Sequence, residues 1–310
     1  MERVLFPTRR SIKPMLLQSF LILLPLFILI FSGFIMGRMV KLSEDTLLRI
    51  LADFFMPLLV FSSLYLSPIS PVGMLTLSGA VVFVIALSLA AALIYAVVGK
   101  TDRRTFTLPV IFMNSGFLGI PLMQLWGGYE AMNIIIIYDQ IQTFFIFTLG
   151  YLVLEGGFSN NGIKASIKSP ILWAVIAGFS FNLLNISLPE SLIKTFSFGG
   201  NAAPPLAAFA LGHSLSGRGT EKISIHVLAG IILRIAGGFL CGILAVKLFN
   251  ISGLMKTVIL VTSALPAAVF SYVLPARLGY DSSVPREIVI ISTIIGVLTI
   301  PLSFYLAEII

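Results

Sequence analysis

The chain has 310 residues, of which 58% are hydrophobic and only 11% are charged, and its mean hydropathy is +1.05. Soluble domains carry about a quarter charged residues, so the composition excludes an ordinary soluble protein and predicts an integral membrane protein. The net charge of +7 comes from basic residues scattered through short loops. This pattern indicates membrane topology rather than a nucleic-acid partner.

Ten apolar stretches are long enough to cross a bilayer as helices, which takes about 20 residues each. The basic segment before the first stretch resembles the start of a signal peptide, but the apolar run that follows is too long for one. We therefore expect span 1 to stay in the membrane. In chain order, spans 1 to 10 are predicted at 16–36, 47–66, 74–98, 105–126, 131–154, 170–188, 191–214, 224–249, 255–277 and 286–308.

Two short motifs recur at nearly equal offsets along the chain. PLLVF begins at Pro57 and PLAAF at Pro205, an offset of 148 residues; GYE begins at Gly128 and GYD at Gly279, an offset of 151 residues. Offsets of about half the chain favour an internal repeat of five helices. Because five is odd, the second copy must enter the membrane from the opposite side, as in inverted-repeat transporters.

The predicted domains follow from this repeat. The first five-helix repeat covers 1–154, a short loop covers 155–169, and the second repeat covers 170–310. Twelve Lys and Arg residues lie in the loops after odd-numbered spans and three in the loops after even-numbered spans. This bias places the 155–169 loop in the cytoplasm, although the basic N-terminal tail argues for the reverse.

Span 4 contains the stretch MNSGFLGIPLM, which is unusual for a membrane helix. Sliding the halves by 151 residues lays Asn114 and Ser115 on Leu265 and Pro266 of span 9. Paired interruptions in equivalent spans point to a transporter's binding site, although each proline alone could be an ordinary kink. The N-terminal ends of broken helices carry partial positive charge and suit an anion such as a carboxylate. The predicted substrate site is Asn114, Ser115, Gly116, Gly119, Pro121, Leu265, Pro266 and Ala267.

Ionisable side chains in other spans are candidates for ion coupling, because such groups are costly inside a membrane. Asp139 and Gln140 in span 5 could line the cavity or carry a coupling proton, or they could be structural hydrogen-bonding partners. Arg234 in span 8 could contact substrate, or it could pair with a carboxylate or backbone carbonyl. His213 is expected to be a surface histidine near the end of span 7.

Four segments resemble the auxin efflux carrier family, which includes microbial malate permease-like proteins and the plant PIN carriers. The segments are NSGFLGIPLMQLWG (114–127), ALPAAVFSYVLPARLGYD (264–281), STIIGVLTIPL (292–302) and KLSEDTLLRILADFFMPLLVFSSL (41–64). The resemblance implies ten helices in two inverted repeats, with a scaffold of spans 1, 2, 6 and 7 and a transport domain of spans 3–5 and 8–10. It also implies that helices 4 and 9 cross at proline-containing breaks and hold a carboxylate near an asparagine that matches Asn114.

The function expected from these features is secondary transport of a small organic anion, a mono- or dicarboxylate, by alternating access in the cell membrane. No phosphate-binding loop, HExxH motif or Ser–His–Asp set is present, and Cys241 is the single cysteine, so we expect no enzyme, cofactor or metal site. The expected partners are the substrate, the bilayer, a coupling proton and a second copy bound through the scaffold. The alternatives are a cation or proton-coupled antiporter and a membrane-embedded sensor that kept a transporter fold.

Overall fold

The computed structural model describes residues 12–40, 42–66, 70–155, 170–216 and 224–310, and nearly all of them are helical. Most of the N-terminal tail and of the predicted 155–169 loop lies outside these ranges. The α-helices are α1 (Ile12–Met39), α2 (Glu44–Ile50), α3 (Met56–Tyr65), α4 (Pro71–Val98), α5 (Arg103–Ile111), α6 (Ile120–Glu155), α7 (Pro170–Leu183), α8 (Glu190–Gly200), α9 (Ala203–Ser216), α10 (Ile225–Ile232), α11 (Gly238–Leu248), α12 (Gly253–Ser263), α13 (Phe270–Arg277) and α14 (Ser283–Ile309).

Short π-helical turns interrupt several of these helices. Leu51–Phe55 joins α2 to α3, Ser115–Gly119 leads into α6, and Leu233–Gly237 joins α10 to α11. A π turn changes the register of the helix that follows it and often occurs at functional sites. Two of these turns carry residues that the sequence marks as candidates, in spans 4 and 8.

Every predicted span contains helix, and the differences from a simple ten-helix pattern are interruptions. Spans 4 and 9 are broken between α5 and α6 and between α12 and α13. The end of span 4 and all of span 5 form the single helix α6, which is kinked at Gly128 (φ 63°, ψ −154°). Glycine tolerates this backbone conformation because it has no Cβ.

Four helical stretches among the described residues are long and apolar enough to cross a membrane. Together with the composition, they support a multi-pass membrane protein. The count of ten spans and the inverted orientation of the repeats stay predictions. The four stretches are Val72–Val98, Ser115–Leu154, Ile225–Leu248 and Ser283–Ile309.

One group of packed helices comes from spans 1, 2, 6 and 7. Helix α1 packs along α9, and α3 packs against α7 and α8. Glycines allow the first contact to be close: a Cβ at Gly33 would lie 2.0 Å from the carbonyl oxygen of Phe209, and one at Gly212 would lie 1.7 Å from that of Ile30. Such small residues let membrane helices approach backbone to backbone.

A second group of packed helices comes from spans 3, 4, 5, 8, 9 and 10. Helix α4 packs on α5, α6 and α11; α12 packs on α6, α11 and α14; and α10 packs on α14. The two groups meet where α1 packs on α6 and α14 and where α9 packs against the π turn Ser115–Gly119, and Ser214 is hydrogen-bonded to Tyr272 across this boundary at 3.1 Å. The breaks in spans 4 and 9 therefore lie inside the second group, next to its boundary with the first.

Candidate functional site

The breaks in spans 4 and 9 lie side by side and complete each other's hydrogen bonding. Met113 and Ala267 pair in antiparallel fashion. The Asn114 N–H donates to the Pro266 carbonyl at 2.8 Å, and the Ala268 N–H donates to the Phe112 carbonyl at 2.9 Å. Backbone groups that leave a helix inside a membrane need protein partners. Each break supplies them for the other, so neither break would be stable alone.

Local sequence explains why the two helices end where they do. Pro266 has no N–H, and its ring disfavours a helical conformation at Leu265, so α12 ends at Ser263. The break in span 4 contains no proline. There Asn114 has φ −80° and ψ 60°, which is not helical, and it is followed by Gly116, a weak helix former.

The span that follows each broken span supplies a side chain to its break. Gln142 of α6 accepts a hydrogen bond from the Met113 N–H at 3.1 Å and donates to the Met113 carbonyl at 2.6 Å. Ser292 of α14 accepts a hydrogen bond from the Ala267 N–H at 3.2 Å. Met113 and Ala267 therefore play matching roles in the two halves of the chain.

Arg234 binds the ends of both first half-helices. It is fully buried (0% exposed) and projects from the π turn between α10 and α11. Its Nη1 donates to the carbonyls of Val110 and Ile111 at the end of α5, and its Nη2 donates to the carbonyl of Ser263 at the end of α12, at 2.6 Å. The last carbonyls of a helix lack intrahelical partners and carry partial negative charge. The guanidinium therefore neutralises two helix ends at once, and its described hydrogen bonds are those of the backbone-carbonyl alternative.

Gly238 provides the space for this guanidinium. A Cβ at position 238 would lie 2.1 Å from Arg234 Nη2 and 2.1 Å from the Ser263 carbonyl oxygen. Both contacts are too short for real atoms. The arginine thus reaches the two helix ends only because the residue one turn further along is glycine.

Asn114 carries a side-chain donor that has no partner. The residue is 2% exposed, and its Nδ2 makes no hydrogen bond among the described residues. Its main chain is held firmly, because its N–H binds the Pro266 carbonyl and its carbonyl accepts from the Gly119 N–H at 3.0 Å. A buried amide group without a partner costs about 1–3 kcal/mol. It is therefore the kind of group that a bound ligand would complete.

Asp139 lies beside Ser115 and Gly116, the two residues that follow Asn114. It is 8% exposed, and its carboxylate accepts hydrogen bonds from Ser115 Oγ at 2.7 Å and from Gln140 Nε2 at 3.2 Å. A Cβ at Gly116 would lie 3.1 Å from Asp139 Oδ1, so the carboxylate rests against the backbone at the start of the π turn. The structure thus places a buried carboxylate at the N-terminal end of the second half of span 4.

The remaining predicted site residues are buried at or near the crossing. Gly119 packs against Leu265: a Cβ at Gly119 would lie 2.9 Å from Leu265 Cδ1. Pro121 is buried in α6, past the π turn, and so lies outside the break itself. His213 is only 7% exposed, with no partner for its Nδ1 among the described residues. The expectation of a surface histidine was wrong, because α9 packs along α1 over its whole length.

Sequence reasoning missed several residues that build the crossing. Gln142 was visible only as a polar residue in an apolar span, and Ser292 only as part of a family-like motif. Tyr138 donates to Met113 Sδ at 3.0 Å and lies 3.4 Å from Ser263 Oγ, so it also connects the two breaks. Phe117 and Phe270 stack with ring centroids 6.1 Å apart just beyond the crossing. No spacing signal in the sequence links these pairs.

The family of this chain is shown by its similarity to known proteins. A family model described as membrane transport protein matches the chain twice, at residues 18–163 and 158–304. The chain belongs to this membrane transport family. The resemblance to auxin efflux carriers is thereby confirmed, and the double match agrees with two repeats. The chain is an integral, multi-pass membrane transporter and not an enzyme.

Two archaeal relatives support this assignment. An uncharacterized transporter of Methanothermobacter thermautotrophicus is 29% identical over 292 residues, which cover 90% of this chain and 95% of the relative. An uncharacterized transporter of Methanocaldococcus jannaschii is 30% identical over 200 residues, which cover 61% of this chain and 63% of the relative. Neither name states a substrate, so the substrate class must be argued from the site.

Proposed function

We propose that this transporter carries a small organic anion, a mono- or dicarboxylate, and binds it where spans 4 and 9 cross. The observation that supports this proposal is the buried Nδ2 group of Asn114, which is 2% exposed and has no partner among the described residues. An amide N–H is a hydrogen-bond donor that suits a carboxylate oxygen. It sits beside the start of the second half of span 4, where helix amides favour negative charge.

The charges around the crossing also favour an anion on one side of it. Arg234 is positive, but the carbonyls of α5 and α12 already compensate it. The second half-helices begin at Ser115 and Phe270, and the N-terminal end of a helix carries partial positive charge. Asn114 directly precedes the helix end at Ser115, so a carboxylate is the complementary ligand there.

Alternating access is the transport mode that fits the burial of this site. Asn114, Ser115, Leu265 and Ala267 are each at most 2% exposed, so a substrate reaches them only after a conformational change. The two groups of packed helices match the scaffold and transport domain that the family resemblance implies. We propose that the second group moves against the first, with the α9 boundary as the sliding surface.

A cation-binding carrier is the second candidate, and one observation favours it. Asp139 brings a carboxylate to the crossing, although the segments 111–123 and 262–275 contain none. A cation carrier would use that carboxylate as its ligand. The third candidate, a sensor with a transporter fold, would bind a ligand at the same site but would show no flux in reconstituted vesicles.

A thermal-shift screen of the purified protein against organic acids tests the anion proposal. A ligand at about 100 times its dissociation constant adds roughly 2.7 kcal/mol of stability. We expect mono- or dicarboxylates to stabilise the protein and the matching amides or alcohols to have no effect. Stabilisation by organic cations alone would replace the anion proposal with the cation one.

Substitutions at Asn114 give the sign of the ligand's charge. Asn114→Ala removes one hydrogen bond to a charged group, which should weaken anion binding by roughly 10- to 150-fold. Asn114→Asp keeps the shape but adds a negative charge, so it should weaken anion binding further and should preserve cation binding. Asn133→Ala is the matched control, because Asn133 is also buried with an unpartnered side-chain atom but is not part of the crossing.

Cysteine labelling tests the inverted repeat. Lys100 is exposed in the loop after span 3, and Lys194 is exposed in the first turns of span 7. Cysteines at these positions, with Cys241 replaced by serine, should react with an impermeant thiol reagent from opposite sides of the membrane. Labelling of both positions from the same side would contradict the inverted topology.

A further inference from the structure

We propose that anion binding at this site is coupled to protonation of Asp139, so that the transporter takes up one proton together with its substrate. This inference rests on the proposed anion site and names its coupling ion. The carboxylate of Asp139 is bonded to Ser115, the residue next to Asn114. A bound carboxylate at the Asn114 amide would therefore share one buried region with the carboxylate of Asp139.

Two like charges in such a region oppose each other. Among the described residues, no lysine, arginine or histidine pairs with Asp139; its bonds are to the hydroxyl of Ser115 and the amide of Gln140. At a separation of several ångströms in a protein interior, the repulsion weakens binding by roughly 10- to 100-fold. Protonation of Asp139 removes this repulsion, so substrate binding and proton binding favour each other.

The other titratable groups near Asp139 bond to other partners or lie at the ends of the neighbouring helices. Tyr138, the neighbour of Asp139 on α6, bonds Met113 and lies beside Ser263, and Arg234 bonds backbone carbonyls. The helices packed on α6 are α1, α3, α4, α5, α9 and α12. Their described titratable groups lie in the first or last turns of those helices: Arg38, Tyr65, Tyr95, Arg103, Arg104, His213 and Lys256.

The backbone of the breaks favours a proton over a metal cation as the coupling ion. A sodium ion in a transporter is coordinated by carbonyls of unwound helix. Here the three carbonyls of the span 4 break and that of Pro266 in the span 9 break already accept hydrogen bonds from protein donors, so none of these four is free to join Asp139 in a metal site. The carbonyls are those of Phe112, bonded by the Ala268 N–H; Met113, by Gln142; Asn114, by the Gly119 N–H; and Pro266, by the Asn114 N–H.

Calorimetric titration of the purified, full-length protein tests this inference. L-malate and indole-3-acetate serve as dicarboxylate and monocarboxylate probes, each titrated in HEPES and in Tris at the same pH. Both probes are fully ionised near neutral pH, so a difference in heat between buffers reports protons bound by the protein. We expect an uptake of roughly 0.5 to 0.8 proton per bound anion at the pH where uptake is greatest, and a dissociation constant that rises with pH by roughly 10- to 100-fold in all.

The variant Asp139→Asn should bind the same probe with no proton uptake and with an affinity that does not change with pH. Asp53→Asn is the matched control, because Asp53 is an exposed aspartate in span 2, away from the crossing. It should behave as wild type. If Asp139→Asn fails to fold, the proton count and the pH dependence of the wild-type protein still test the inference.

The outcomes separate this inference from the proposed function. Binding of a probe without proton uptake, or with the same uptake in Asp139→Asn, overturns proton coupling and leaves the anion site standing. Binding that requires sodium and is lost when choline replaces it also overturns the inference. No binding of either probe, or of any acid in the thermal-shift screen, overturns the proposed function and the inference with it.

Discussion

Spans 4 and 9 break at one crossing, yet different groups surround the two breaks. On the span 4 side, Asn114, Asp139 and Gln142 supply an amide donor, a carboxylate and a second amide, all buried. On the span 9 side, the break itself is built from Pro266 and apolar neighbours, and Ser292 supplies a single hydroxyl. The main-chain pairing is mutual, and Arg234 of the second half binds both breaks, but the amide donor and the carboxylate proposed for the ligand site come from the first half of the chain.

This contrast shows which features both halves need for the fold to be stable and which features can differ between the halves. The N–H groups of Met113 and Ala267 are each bound by a side chain from the span that follows the broken one, because a membrane interior offers no water in their place. That requirement applies equally to both halves. Recognition of a ligand needs the amide donor and the carboxylate on only one side of the crossing. The second half therefore has to supply only the backbone geometry of the crossing.

Arg234 should give the largest effect, because both breaks depend on it. Arg234→Gln leaves carbonyls at the ends of α5 and α12 without their donor, which should lower the free energy of unfolding by about 3–5 kcal/mol. Arg234→Lys should recover less than half of this loss, since one ammonium cannot reproduce the planar fork. Thermal unfolding followed by tryptophan fluorescence measures both variants.

The control for Arg234 is Arg104→Gln. The Arg104 guanidinium lies over the Tyr280 ring, 5.6 Å from its centroid, and the residue is exposed. Its loss should cost less than about 1 kcal/mol. If Arg234→Gln unfolds at the same temperature as Arg104→Gln, the arginine does not hold the two breaks together, and each break must be stable by itself.

Gln142 and Ser292 test the asymmetry directly. Gln142 makes three hydrogen bonds, to the N–H and carbonyl of Met113 and to Ser115 Oγ, whereas Ser292 receives one from Ala267. We expect Gln142→Ala to cost about 2–3 kcal/mol and Ser292→Ala about 1 kcal/mol. Equal losses in thermal unfolding would mean that the span 9 break relies on its hydroxyl as heavily as the span 4 break relies on its amide.

The sequence allowed the broad design of this crossing to be predicted. Asn114, the glycines and Pro266 are visible as polar or helix-breaking residues in apolar spans, and composition alone indicated a membrane protein. These signals are local. They identify where a helix is interrupted, and the repeat offset aligned the two interruptions with each other.

The partners of these residues were beyond sequence reasoning. The pairing of Met113 with Ala267 is made by main-chain atoms, which carry no side-chain signal. Arg234 bonds carbonyls more than a hundred residues away, so neither its partners nor their number follow from spacing. The register of the repeat was also coarse: an offset of 151 residues set Asn114 opposite Leu265, whereas its N–H bonds the next residue, Pro266.

Gly238 and Gly237 are a matched pair of positions for testing the space that the Arg234 guanidinium occupies. A Cβ at Gly238 would lie 2.1 Å from the guanidinium, but a Cβ at Gly237 would have no neighbour nearer than 3.9 Å. Gly238→Ala should therefore cost about 1–3 kcal/mol, and Gly237→Ala should stay within about 1 kcal/mol of wild type. Thermal unfolding of the two variants side by side checks this, and equal midpoints would show that the guanidinium can move aside freely.

The two prolines should give the smallest effects and the sharpest contrast between the breaks. Pro266 lies in the break of span 9, where alanine would introduce a buried N–H that has no partner unless the break closes. Pro121 lies in α6 after the π turn, where alanine would add an N–H in the first turn of a continuous helix. Pro266→Ala should cost about 1–2 kcal/mol and Pro121→Ala less than about 1 kcal/mol.

Ligand binding separates these two prolines further. Pro266→Ala should weaken binding of an organic acid, because it shifts the residue 266 carbonyl that accepts the Asn114 N–H and so positions Asn114. Loss of Pro121 should leave the affinity unchanged, because the span 4 break already ends before the π turn. The reverse order would mean that Pro121 and not Asn114 fixes the break of span 4. The breaks would then be alike in depending on a proline, and the difference between the two halves would be confined to Asp139 and Gln142.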